Sequence, residues 1–256
     1  MKRRRLARLL AVIVAAMLLA ACGGSGVRDG GATGGLGVSQ KESPGDLYVK
    51  LAAEYLRQGQ METALRKANK ALELDSKNAQ AHNVTALIYQ RLGQNQLAGE
   101  HYRKAVSLDP KDPYVLNAYA SFLCDQRKFS EAEAQYKKAL ANPLYPSPWI
   151  AMTNMGTCAK RSGNSSKAET SFRQALSANP SFGPALAALA ELDYGRGQYQ
   201  SARNHLDRYF KVARPTPQVL LLAVRVERKL GSRKRASTYA QMLRKNYPGS
   251  REALQL

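Results

Sequence analysis

The stretch EYLRQGQMETALRKANKAL, residues 54–72, returns in altered form as IYQRLGQNQLAGEHYRKAV, residues 88–106. Self-similarity at a fixed period of this size marks a repeat array, and it governs the reading of everything else. Aligned on Gly59, Gly93, Gly163, Gly197 and Gly231, the chain advances in steps of 34, 70, 34 and 34. The long step is two repeats plus two extra residues, with Arg127 standing where the missing glycine would be. Five residues beyond these six turn positions come Ala64, Ala98, Ala132, Ala168, Ala202 and Ala236. Seven further on stand Ala71, Ala105, Ala139, Ala175, Tyr209 and Leu243. Pro110, Pro180 and Pro248 then close repeats two, four and six, where the others carry Ser76, Leu144 and Arg214.

This register resembles the tetratricopeptide repeat, a helix–turn–helix unit, and the resemblance covers residues 45–250. It implies an all-α superhelical solenoid of six repeats: 45–78, 79–112, 113–146, 149–182, 183–216 and 217–250, followed by a tail, 251–256. The residue types fit that architecture. Small residues at Ala52, Ala86, Ala120, Gly156 and Ala190 let the first helix of each repeat approach its partner, and the alanines of the second helix do the same from the other side. Tyr55, Tyr89, Tyr102, Tyr136 and Phe172 fill the remaining space. One repeat cannot bury its apolar face alone, so neighbours must stack.

Arrays of this kind work by binding, with the first helices lining a concave face. The register places Val49, Ala53, Leu56 and Arg57 on that face in repeat one, and Asn83, Leu87, Gln90 and Arg91 in repeat two. Tyr114, Asn117 and Ser121 follow in repeat three. Apolar and amide side chains together suit an extended peptide or an amphipathic helix, though a solvated face without a ligand would look the same. No catalytic constellation is legible. His82, His101 and His205 are scattered, without metal-ligand spacing, and no phosphate-binding glycine loop is present. We expect no enzyme activity, no metal and no cofactor.

The chain carries 39 Lys and Arg against 19 Asp and Glu, a net charge of +20. Repeat six is the most one-sided, with Arg225, Arg228, Lys229, Arg233, Lys234, Arg235, Arg244 and Lys245 against Glu227. Its polar surface reads either as the repeat's own cap or as a contact for an anionic surface. Asp193 and Glu227 also break the pattern, occupying the position of Tyr55 and Tyr89.

The N-terminal stretch supplies the compartment. Lys2, Arg3, Arg4, Arg5 and Arg8 precede an unbroken apolar run, Leu9 to Ala21. A spanning helix needs about 20 residues, so this shorter run reads as a secretory signal peptide, residues 1–21. Leu19-Ala20-Ala21-Cys22 looks like a bacterial lipobox, which implies that Cys22 becomes the first mature residue and carries the acyl groups, palmitate among them. An ordinary export signal with a chance cysteine is the alternative. Gly23 rather than aspartate follows, which favours the outer membrane. Export argues against nucleic acid as the partner of the basic chain. From Cys22 to Pro44 the sequence is glycine-rich and nearly free of large apolar side chains. Such a segment cannot bury enough surface to offset its ordering entropy. It is expected to act as a flexible tether of roughly 25 Å.

Cys124 and Cys158 sit late in the first helices of repeats three and four. In an oxidising periplasm such a pair reads as a disulfide, with two buried free thiols as the alternative. Between them lies the insertion, in which Pro143, Pro146 and Pro148 stop one helix and hold an extended link. A break there would leave two sub-blocks, repeats 1–3 and 4–6.

Specific stretches narrow the family. LNAYASFLCDQRKFSEAEAQYKKAL at 116–140, the following NPLYPSP, and NYPGS at 246–250 resemble the type IV pilus biogenesis lipoprotein family of PilF and PilW. The resemblance implies a pilotin: an outer-membrane lipoprotein, facing the periplasm, that helps the secretin PilQ reach that membrane and multimerise. Other pilus assembly proteins are further partners it implies. It implies lipid on Cys22, a disulfide between Cys124 and Cys158, and partner binding in the groove of the first repeats, centred on Val49, Leu56 and Leu87. The rival from another class is a lipid-anchored repeat scaffold for cell-wall enzymes, with the basic last repeat facing peptidoglycan.

Overall fold

The turns decide the architecture. In the computed structural model, which describes residues 43–256, Gly59, Gly93, Gly163, Gly197 and Gly231 all adopt positive φ, between 70° and 85°. Arg127 does the same at 61°. Each of these six residues ends a helix in one pattern. In the first, the Gly59 amide donates to the Leu56 carbonyl and the Gln60 amide reaches back to Tyr55. In the last, Gly231 reaches Arg228 and Ser232 reaches Glu227. This paired closure satisfies carbonyls that a helix end would otherwise leave orphaned. It reverses the chain sharply, so that a second helix folds back on the first.

Twelve α-helices result among the described residues: α1 Pro44–Arg57, α2 Met61–Leu74, α3 Ala79–Arg91, α4 Asn95–Leu108, α5 Pro113–Asp125, α6 Phe129–Leu140, α7 Pro148–Arg161, α8 Ser165–Ala178, α9 Gly183–Gly195, α10 Tyr199–Val212, α11 Pro217–Lys229 and α12 Arg233–Asn246. Most odd-numbered helices start on strong caps. Ser43 and Asp46 form a reciprocal capping box at α1. Asn78, Asp112 and Thr216 accept from the first-turn amides of α3, α5 and α11. Each removes an unsatisfied donor, a contribution of about 1 kcal/mol. Pro44, Pro113, Pro148 and Pro217 occupy the first helical turn, where their missing N–H costs nothing.

Packing follows the small residues. Ala52, Ala86, Ala120 and Ala190 are fully buried on the odd-numbered helices, and Ala64, Ala98, Ala132, Ala168 and Ala202 on the even-numbered ones. Tyr102, Tyr136 and Phe172 fill the space between them, each at most 1% exposed. Each odd-numbered helix packs on its even-numbered partner and on the odd-numbered helices of adjoining repeats, whereas among the described residues no two even-numbered helices pack together. The odd-numbered helices therefore line the inner, concave side of a solenoid.

Two expectations need correction. The proline-rich insertion does not separate two sub-blocks. Residues 43–256 pack as one unit, and a cluster containing Leu123, Cys124, Tyr136, Tyr145, Ala151 and Cys158 spans the seam. Tyr145, from the insertion itself, is buried edge-on against Tyr114 and stitches the link to repeat three. The last repeat is also not left to cap itself. The tail forms a short 3₁₀ turn, Ala253–Gln255. Ala253 and Leu256 join Leu220, Leu221 and Leu243 in a terminal apolar cluster. Arg225 and Arg228 hold the tail in place through Gln255 and the Leu256 carbonyl. The signal peptide, Cys22 and all of the expected tether before Ser43 lie outside the described residues.

Candidate functional site

The expected groove residues divide into those the array uses for itself and those it leaves available. Gln90 is in the first group. It accepts from the buried Tyr102 hydroxyl at 2.7 Å and donates to Asp125 of the next repeat at 2.8 Å. Burial pushes the Tyr102 pKa up, so its proton stays in place as the donor. Ser121 is held by Tyr136 and by the Asn117 carbonyl, and Asn117 accepts from Asn154 at 3.1 Å. Arg57 is paired with Glu54, and Leu56 packs on the core of repeats one and two. The bonds from Gln90 to Asp125 and from Asn154 to Asn117 run from one odd-numbered helix to the next and help set the curvature of the face.

The second group is more apolar. Val49 and Leu87 are half-buried, each with one side packed on the core as Leu56 is, Ala53 and Arg91 are exposed, and Tyr114 is 47% exposed. Asn83 differs from all of these. It is only 6% exposed, its amide nitrogen reaches Gln80 at 3.4 Å, and its carbonyl oxygen is buried with no hydrogen-bond partner among the described residues. A buried acceptor left unmade costs about 1–3 kcal/mol. Gln80 in turn bonds Asp112 at the start of α5, so this amide pair sits on the strip joining repeats two and three.

Three features escaped the sequence reading. A concavity of about 500 Å³ opens between repeats five and six, lined by Ala187, Ala188, Leu221 and Leu222, with Glu191 and Arg225 at its polar edge. Ala187, Glu191, Leu221 and Arg225 stand at the register positions of Asn83 and Leu87, so carrying the groove assignment further along the array would have found it. A second cavity, about 450 Å³, lies at the seam between repeats three and four, among Phe129, Tyr136, Met155 and Ala159. Cys158 forms part of its wall. Cys158 is bonded to Cys124, with their Cα atoms 5.8 Å apart. Finally, His82 and His101 are not scattered. Their Nδ1 atoms lie 3.0 Å apart. Burial, and then the facing His82, hold the His101 pKa below its usual value. Among the described residues no group of three or more His, Cys, Asp and Glu could hold a metal ion.

This is a tetratricopeptide repeat protein whose inner face presents a partly apolar groove. Tetratricopeptide repeat patterns match residues 49–113 and 123–184, and a second such pattern matches 159–226. The type IV pilus assembly protein PilF of Pseudomonas aeruginosa is 30% identical over 207 residues, which span 81% of this chain and 82% of that one. The solved structure of Pseudomonas aeruginosa PilF superposes with a TM-score of 0.71 at 31% identity, covering 82% of this chain and 95% of PilF. That of PilW, a widely conserved type IV pilus biogenesis factor, gives 0.74 at 34% identity, covering 82% and 97%. The chain belongs to the PilF/PilW family of tetratricopeptide repeat proteins.

Proposed function

We propose that this chain acts in type IV pilus biogenesis as an outer-membrane pilotin. It binds subunits of the secretin PilQ and promotes their delivery to, and multimerisation in, the outer membrane. The observation that carries the reading is similarity to both PilF and PilW over most of the chain. The groove is chemically suited to the task. Val49, Ala53, Leu87 and Tyr114 offer apolar contact to an extended segment. In this reading Cys22 carries the lipid, and several acyl chains give stable anchoring. A bound secretin subunit then travels with the lipoprotein, and its unpaired strand edges are kept from aggregating. Catalysis plays no part in the proposal.

The test is a deletion strain complemented with the wild-type gene, with Cys22→Ser, or with Val49→Glu/Leu87→Glu. Heat- and detergent-resistant secretin multimers are expected in the outer-membrane fraction with wild type alone. The groove variant is checked for an unaltered helical melt. Unchanged multimers in the deletion strain would rule out the secretin role and leave the cell-wall scaffold as the reading to pursue.

A further inference from the structure

Within residues 43–256 the positive charge is concentrated towards the C-terminal end. Residues 43–195 hold 18 Lys and Arg against 14 Asp and Glu, whereas residues 196–256 hold 14 against three. Those three acids are all engaged internally. Glu227 is 2% exposed and clamped by Arg203 and Arg235, Asp207 pairs with Arg235, and Glu252 accepts from Gln218. The charge this end offers to solvent is almost wholly cationic.

The densest part is the last turn, RKLGSRKR, residues 228–235. Arg228, Lys229, Arg233 and Lys234 are all exposed and form no ion pair among the described residues; the Arg228 side chain reaches the Leu256 carbonyl. Arg233 and Lys234 open α12, which has no acidic residue in its first turn. A helix N-terminus favours anions and opposes cations, so the fold itself gains nothing from this placement. Lys229, Arg233 and Lys234 take no part in capping either, because the tail, held by Arg225 and Arg228, covers the terminal apolar cluster. None of the four side chains lines the concavity between repeats five and six or the one at the seam. A dispersed single-sign field outside both concavities matches a dispersed anionic surface rather than a discrete peptide.

We infer that the exposed turn of the last repeat, Arg228, Lys229, Arg233 and Lys234, is a docking surface for anionic phospholipid headgroups. It holds the repeat array against the membrane through phosphate contacts that add to any covalent anchor. Basic residues near such a surface act cumulatively and fall off within a Debye length.

The experiment uses the mature chain with Cys22→Ser, so that no acyl group contributes, and co-sedimentation with phosphatidylethanolamine vesicles. Adding about 30% phosphatidylglycerol is expected to bring the chain down, and raising salt from about 0.05 M to about 0.5 M to release it. Arg228→Glu/Lys229→Glu/Arg233→Glu/Lys234→Glu should weaken binding by about tenfold or more. Lys77→Glu/Lys104→Glu/Lys111→Glu/Lys138→Glu removes equal charge from earlier repeats and should retain most of it. Both variants are required to keep the wild-type melt. Equal loss in the two variants would mean that net charge alone attracts the vesicles, and would overturn the assignment. So would absence of vesicle binding, including the case where the chain instead sediments with peptidoglycan sacculi. Secretin is absent from the assay, so failure here leaves the pilotin reading standing.

Discussion

At the scale of single residues, two positions show how finely the array is fitted. Gly156 stands in the register position of Ala52, Ala86, Ala120 and Ala190, and from sequence it is one more small residue. In the structure a Cβ there would lie 2.6 Å from Cε1 of Phe172, a ring with no exposure. Gly156→Ala is therefore expected to lower stability by about 1–3 kcal/mol, read by urea denaturation, despite the higher helix propensity of alanine. That requirement was not legible in the sequence, because it depends on how the Phe172 ring of the following helix is turned. The other position is Arg127, which the register had already marked as the missing glycine. Its φ of 61° lies in a region costing L-residues about 1–2 kcal/mol. Gly93→Ala, with no contact to relieve or worsen, should lose about that much. Arg127→Gly should lose nothing and gain at most about 1 kcal/mol, since relief of strain is offset by a more flexible unfolded chain.

At the scale of helices, the departures from the repeat pattern turn out to be polar clusters. Asp193 and Glu227 replace aromatic residues of the early repeats, and both are 2% exposed. Each finds partners on α10: Ser201 with His205 for Asp193, and Arg203 for Glu227. The substitution was visible in the sequence. The compensation was not, because Arg203 and Ser201 look like ordinary surface residues of an amphipathic helix. Removing one member of a buried pair strands the other, so Glu227→Ala should cost about 3–5 kcal/mol, measured as a shifted denaturation midpoint. The histidines carry the second prediction. His101 is lowered by burial and by the facing His82, with Glu100 opposing, and His205 is lowered chiefly by burial, with Asp193 opposing. A depressed folded pKa means that the unfolded chain binds protons first as pH falls. Stability is thus intact above the ordinary histidine value of about 6.5 and declines below it. Melting temperatures should fall from about pH 7.5 to about pH 5, the range in which histidine titrates. The double variant His101→Gln/His205→Gln should flatten that slope.

At the scale of the whole molecule, the repeat register alone was enough to read the architecture, since turns, small residues and aromatics recur at fixed offsets. The groove was legible as a set of positions but not as a set of free side chains. Gln90, Asn117 and Ser121 have the chemistry of binding residues, yet they spend it within the array, and only coordinates reveal where a hydrogen bond goes. The seam was misread for a related reason. Three prolines signal a break in helix, but they say nothing of Tyr145 folding back to close it. The bond between Cys124 and Cys158 reinforces the same joint, and Cys124→Ser/Cys158→Ser should lower stability by about 3–4 kcal/mol by the chain-entropy argument.

That bond also has a mechanical meaning. Stacked repeats pulled from their two ends yield to tension by peeling off one after another. The cross-link short-circuits the chain between its two cysteines, 34 positions apart, so force is carried across the 5.8 Å between their Cα atoms rather than along the intervening backbone. Pulled out fully, the oxidised chain should be shorter than the reduced one by roughly 110 Å, from about 3.3–3.6 Å per residue. In single-molecule stretching, reductant should release that hidden length, and the middle of the array should change from its most inextensible section into one that unravels like the rest.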